Sequence, residues 1–141
     1  MTNTHGLSEM RPRVLLVDDE HSVRESLYTL LEGDGYEVLA ASNGPDALAI
    51  FRQSSRPIEL LVTDYNMPEM SGLQLARDCS LLCNDLSVLY VSGCRPDEDL
   101  EADLRARKRG FLAKPFRGND LLRKARELLL VESAGQMSLN S

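Results

Sequence analysis

Five polar residues stand directly after short apolar runs, and they are this chain's candidates for chemistry. Asp18 and Asp19 follow RVLLV (13–17), and Asp64 follows ELLVT (59–63). Ser92 follows LSVLYV (86–91), and Lys114 follows Phe111–Ala113. If those runs are neighbouring parallel strands, all five residues meet at one sheet edge. Three carboxylates gathered there repel one another, at about 4 kcal/mol per pair for ~4 Å and an effective dielectric near 20. Such a cluster must hold a cation, keep a proton, or be neutralised by another charge. Mg2+ suits it, being a hard ion that takes oxygen ligands and leaves positions open for water and phosphate oxygens. A carboxylate is also a nucleophile toward phosphorus and yields an aspartyl phosphate. A metal, an ammonium and a hydroxyl are the groups that stabilise the charge developing in that step.

Each residue also has a plainer reading. An Asp after a strand caps a helix or starts a turn, Ser92 before Gly93 makes a turn, and Lys114 before Pro115 is a surface lysine. What sets the five apart from chance is their joint placement at successive strand ends.

The elements that must position them alternate along the chain. RVLLV is a continuously apolar strand of the kind found in sheets covered on both faces. Residues 21–32 place Val23, Leu27, Leu30 and Leu31 on one helical stripe, ended by Gly33 and Gly35. YEVLAA (36–41) is a second strand, and Asn43-Gly44-Pro45 opens a helix carrying Ala47, Leu48 and Phe51. After the third strand and Asp64, Ser71 caps a helix running through Cys83. After the fourth strand, residues 96–108 are expected as a charged helix. Its acids come first and its bases Arg105, Arg107, Lys108 and Arg109 last, in keeping with the helix dipole. A short strand, 111–113, precedes a final helix from Gly118 to Val131. Strand and helix alternate five times, which implies a doubly wound α/β fold: a five-stranded parallel sheet with helices on both faces. Ligands of such sheets bind outside the carboxyl ends of the strands. Residues 1–12 are expected to form a flexible arm, 13–131 the domain, and 132–141 a frayed tail.

Composition narrows the function. The chain has 141 residues and a formal net charge of −6. It lacks the basic footprint of direct nucleic-acid binding. Residues 1–13 lack the apolar core of a signal peptide and no apolar run approaches membrane-spanning length, so the expected location is cytoplasmic, with no membrane contact. Cys79, Cys83 and Cys94 make no disulfide framework. Cys79 and Cys83 share a helix face, but neither His5 nor His21 stands at a usual zinc spacing from them.

VLLVDDE (14–20), VTDYNMPEMSG (62–72), YVSG (90–93) and FLAKPF (111–116) together resemble the receiver domains of bacterial two-component response regulators. The pieces occur in the family's order and cover residues 13 to 131. The resemblance implies a flavodoxin-like sheet of order 2-1-3-4-5. It implies Asp64 as the phosphoacceptor, with a histidine kinase or histidine phosphotransfer protein as donor. Mg2+ would be bound by Asp19 directly, by Asp18 largely through water, by Asp64, and by the backbone carbonyl of Asn66. Ser92 resembles the hydroxyl that swings toward the phosphate, Lys114 the lysine that pairs with it, and Phe111 the aromatic switch. Pro115 resembles the proline of a cis Lys-Pro peptide. A downstream protein would meet the face made by the fourth helix, fifth strand and fifth helix.

Departures from the family pattern are Ser92 where Thr is more usual, Gly93 where Ala is common, and Phe111 where Tyr is frequent. Positions such as Cys94 and Asn66 tune autodephosphorylation in the family. LSVLYVSG with FLAKPF also resembles receivers of hybrid sensor histidine kinases, and a single-domain regulator is the favoured expectation. Two rivals are weaker. A haloacid-dehalogenase-like phosphatase places a second Asp two residues after its nucleophile, where this chain has Asn66. A degenerate receiver usually loses an acid or the lysine, and both are kept here.

Overall fold

The structure is a computed structural model describing residues 11–131. Five strands form one sheet: β1 (Arg13–Val17), β2 (Glu37–Ala41), β3 (Leu60–Asp64), β4 (Ser87–Ser92) and β5 (Arg109–Ala113). Five helices connect and follow them: α1 (His21–Gly33), α2 (Gly44–Gln53), α3 (Gly72–Leu82), α4 (Glu98–Leu104) and α5 (Gly118–Leu130). The strand order is β2-β1-β3-β4-β5 with every pairing parallel, as expected.

Side chains alternate across a strand, so a sheet covered on both faces builds two cores. Leu15, Val17, Leu61, Val88 and Tyr90 point into one layer, with Leu48, Leu73, Leu75 and Cys79 of α2 and α3 and with Leu100 of α4. Val14, Leu16, Leu60, Val62, Leu89 and Val91 point into the other, against Leu27 and Leu31 of α1 and Leu121, Ala125 and Leu128 of α5. Each fully buried Leu adds roughly 1.5–3 kcal/mol. That burial fixes the central strands and, with them, the residues at their ends.

Local chemistry terminates the elements much as the sequence implies. Gly35 takes a φ of +100° just past α1. Asn43 caps α2 by accepting from the Asp46 N–H, and Ser71 caps α3 by accepting from the Gln74 N–H. Cys79 is buried in the core, Cys83 is half-buried and Cys94 is exposed.

The charged helix is the clear correction. It spans Glu98–Leu104 rather than 96–108, and β5 begins at Arg109 rather than Phe111. The bases do not line its last turn; two of them serve tertiary partners. Arg109 Nε donates to Asp103 at 3.2 Å, its Nη1 to the Leu86 carbonyl at 2.9 Å, and its Nη2 to Ser80 Oγ at 3.0 Å. Lys108 takes a φ of +63° and sends its ammonium to Asp85 at 2.7 Å. Ser80, Asp85 and the Leu86 carbonyl lie off the helix, so satisfying them requires the chain to turn early.

Residues 1–10 of the expected arm and 132–141 of the expected tail lie outside the described residues. Pro12 directly precedes β1, and its carbonyl accepts from the Glu37 N–H of β2 at 2.9 Å. Among the described residues, no helix is long and apolar enough to cross a membrane.

Candidate functional site

The carboxyl edge of the sheet collects the five residues singled out above. β1 ends at Val17 and delivers Asp18, which is 2% exposed, followed by the exposed Asp19. Asp18 is held from several sides. Its Oδ1 accepts from the Glu20 N–H at 2.9 Å, its own N–H donates to the Ala41 carbonyl, and its carbonyl accepts from Arg24 at 2.7 Å. Asp64 is the last residue of β3. The next peptide is clamped, because Tyr65 donates to the Val91 carbonyl at 2.9 Å and accepts from the Gly72 N–H at 2.8 Å. A Cβ on Gly72 would stand 2.4 Å from the Asp64 carbonyl oxygen, so the start of α3 can pack here only without a side chain.

Carboxylate oxygens of Asp18, Asp19 and Asp64 all lie within 4.8 Å of one another. Lys114 enters just past the end of β5, where its N–H donates to the Ser92 carbonyl of β4 at 2.8 Å. Its ammonium lies 3.5 Å from Asp18 Oδ2 and 3.7 Å from Asp64 Oδ1. The Lys114–Pro115 peptide is cis. One ammonium against three carboxylates leaves the cluster short of positive charge. Burial above all pushes the Asp64 carboxyl up to about 6; Lys114 opposes the rise, and Asp18 and Asp19 add to it. An all-oxygen donor set with excess negative charge fits a hard divalent cation, and the three acids are the residues that would hold it.

Ser92 is the last residue of β4. It is buried, and its Oγ accepts from the Cys94 N–H at 3.0 Å and from Asn66 Nδ2 at 3.4 Å. Asn66 itself is exposed. Phe111 is half-buried against the layer that contains Tyr90 and Leu100. Asp18, Asp19, Asp64 and Lys114 thus form one cluster. Ser92 and Asn66 are paired beside it, and Phe111 belongs to the core layer of α4.

Two contributors had not been singled out. Arg24 holds the Asp18 carbonyl and also meets His21 Nδ1 at 3.1 Å. A base in the first turn of a helix opposes the macrodipole, and that anomaly was the available signal. Tyr65, next to Asp64, bonds Asp97 across the β4–α4 connection. No pattern in the sequence relates those two positions.

Comparison with known proteins agrees with this geometry. The sequence pattern of the response regulator receiver domain matches residues 14–126. The response regulator receiver protein CpdR of Brucella abortus is 35% identical over 123 residues, covering 84% of this chain and 97% of CpdR. The sensor kinase CckA of the same organism is 37% identical over 119 residues, but those are 82% of this chain and only 12% of the kinase. Among solved structures, the receiver domain of the hybrid histidine kinase CckA superposes with a TM-score of 0.71 at 31% identity. That match covers 83% of this chain and 98% of the domain. The Vibrio cholerae chemotaxis protein CheY4 gives 0.75 at 27% identity over 84% of this chain and 98% of CheY4.

Proposed function

The chain belongs to the response regulator receiver domain family, and from that premise we propose that it accepts a phosphoryl group on Asp64. The donor is a histidine kinase or a histidine phosphotransfer protein. The observation that carries the reading is the cluster itself: three carboxylates within 4.8 Å, with the Lys114 ammonium 3.7 Å from Asp64.

A carboxylate oxygen of Asp64 forms the new bond to phosphorus while the bond from phosphorus to the donor imidazole nitrogen breaks. The electron pair of that bond stays on the imidazole. With its carboxyl near 6, Asp64 is mostly ionised at neutral pH and ready to attack. Lys114 offsets negative charge on the incoming oxygens, and the Ser92 hydroxyl donates to one of them. Asp18, Asp19, Asp64 and the Asn66 carbonyl would hold Mg2+, which when bound supplies the remaining positive charge. The domain catalyses only its own phosphorylation and dephosphorylation, acting as a signalling module in the cytoplasm. Its output goes to a protein on the α4–β5–α5 face rather than directly to nucleic acid. The favoured reading is a single-domain regulator, and the alternative is a module of a hybrid kinase; the relatives include a protein of each kind, CpdR and CckA.

Incubation with acetyl phosphate and Mg2+ should add one phosphoryl group, labile at alkaline pH. Catalytic turnover of phosphate monoesters, with no stable adduct, would instead favour a phosphatase.

A further inference from the structure

α4 is the most thinly anchored helix of the fold. It has seven residues, and Leu100 is its one buried side chain. Two tyrosine hydroxyls grip its ends. Tyr90, buried in the sheet, donates to Asp103 Oδ2 at 2.6 Å near the last turn. Tyr65 donates to Asp97, its Oη lying 2.9 and 2.8 Å from the two carboxylate oxygens. Asp97 is also the N-cap, accepting from the Leu100 N–H at 2.9 Å. The two rings meet edge to face, with centroids 6.2 Å apart.

The Tyr65–Asp97 bond has a defined polarity. The Tyr65 hydroxyl is the donor, because a carboxylate can only accept. The Leu100 N–H, then the Tyr65 hydroxyl, holds Asp97 below the usual carboxylate range, so it remains an ionised acceptor. Such charge-assisted bonds are stronger than neutral ones. Tyr65 is also the residue after Asp64, and its peptide is clamped by Val91 on one side and Gly72 on the other. With the Gly72 backbone packed against Asp64, this segment has no slack to absorb a displacement locally. A change at Asp64 is therefore passed to the Tyr65 side chain and to whatever it holds.

We propose that the Tyr65–Asp97 hydrogen bond is the link through which occupancy of Asp64 sets the position of α4, with Tyr65 acting as a positioning residue. The inference rests on the receiver reading above.

The test is amide NMR of the full chain with Mg2+, with and without beryllofluoride as phosphoryl mimic. Tyr65→Phe keeps the ring and the helix cap but removes the hydroxyl. Asp97→Ser keeps a capping oxygen and is too short to reach Tyr65. Should Tyr65→Phe lose its fold, Asp97→Ser reads the same bond from the other side. Both variants should still bind beryllofluoride and respond at residues 64–66, since the side-chain groups that they remove lie outside the acid cluster. Their response at residues 98–104 should fall by more than half, and α4 amides should exchange roughly three- to tenfold faster beforehand. Asp97→Asn, which keeps an acceptor for both donors, should restore the α4 response. Equal α4 displacement in wild type and both variants at equal occupancy overturns the link. A wild-type response at 64–66 that never reaches 98–104 overturns it too, and leaves the receiver reading standing. No wild-type response at 64–66 defeats the receiver reading and this inference together.

Discussion

The Lys114 ammonium stands 3.5 Å from Asp18, a carboxylate that is 2% exposed on its own strand end. It lies slightly farther, at 3.7 Å, from Asp64. Lys114 is thus more than a reserve donor for an incoming phosphate; it is the counter-charge of the buried acid. Replacing Lys114 with Met should lower metal-free stability by ~1–2 kcal/mol, less than the full cost of orphaning a buried charge because the ammonium is partly solvated. Urea unfolding with a chelator present measures it. Unchanged stability would mean that the Asp18 charge is balanced elsewhere.

The acid cluster also makes stability depend on pH. Because the Asp64 carboxyl is raised to about 6 in the folded chain, the fold takes up its proton more readily than the unfolded chain does. The resulting stabilisation is complete below the unfolded value near 4 and is lost as pH rises through about 6. In a dry site that shift would correspond to ~3 kcal/mol, and the open edge screens it to ~1–2 kcal/mol. Asp64→Asn should therefore stabilise the metal-free chain at pH 8 and have little such effect at pH 4. A stabilisation that is the same at both pH values would remove the electrostatic account.

The excess negative charge of the three acids predicts how metal acts. Mg2+ should raise the melting temperature by an amount set by its concentration relative to its dissociation constant. Asp19→Asn should raise metal-free stability and remove the metal response, as followed by calorimetry with and without chelator. An equal metal shift in that variant would place the cation elsewhere.

Much of this site was legible because the alternation of strand and helix dictates where strand ends go. RVLLV, ELLVT and LSVLYV are short, mostly apolar runs rich in branched side chains, as the strands of a sheet covered on both faces are. The polar residues after them, Asp18, Asp19, Asp64 and Ser92, then had to converge. The extent of α4 was not legible, because its charge order imitates a helix that obeys its dipole. What ends it is Arg109 reaching Asp103, Ser80 and the Leu86 carbonyl, contacts between residues up to 29 positions apart. The Tyr65–Asp97 bond was hidden for the same reason, since 32 positions separate its partners. Periodicity reports which face a residue occupies, not which distant side chain it meets.

Gly72 gives a backbone test of the acceptor segment. A Cβ there would lie 2.4 Å from the Asp64 carbonyl and 3.0 Å from Tyr65 Cα, and both are backbone atoms that cannot swing aside. Gly72→Ala should cost ~2–4 kcal/mol and slow phosphoryl acceptance by displacing Asp64. Thermal unfolding and acetyl phosphate labelling read the two effects. A variant with normal stability and labelling would show that the start of α3 moves freely.

The central claim is that Asp64 carries the phosphoryl group, and the most direct measurement locates it chemically. After labelling with acetyl phosphate and Mg2+, borohydride reduces an aspartyl phosphate to homoserine, and peptide mass spectrometry finds the position. The account predicts homoserine at position 64 and none at Asp18 or Asp19. Homoserine at another acid, or a phosphoryl group that resists borohydride, would contradict it.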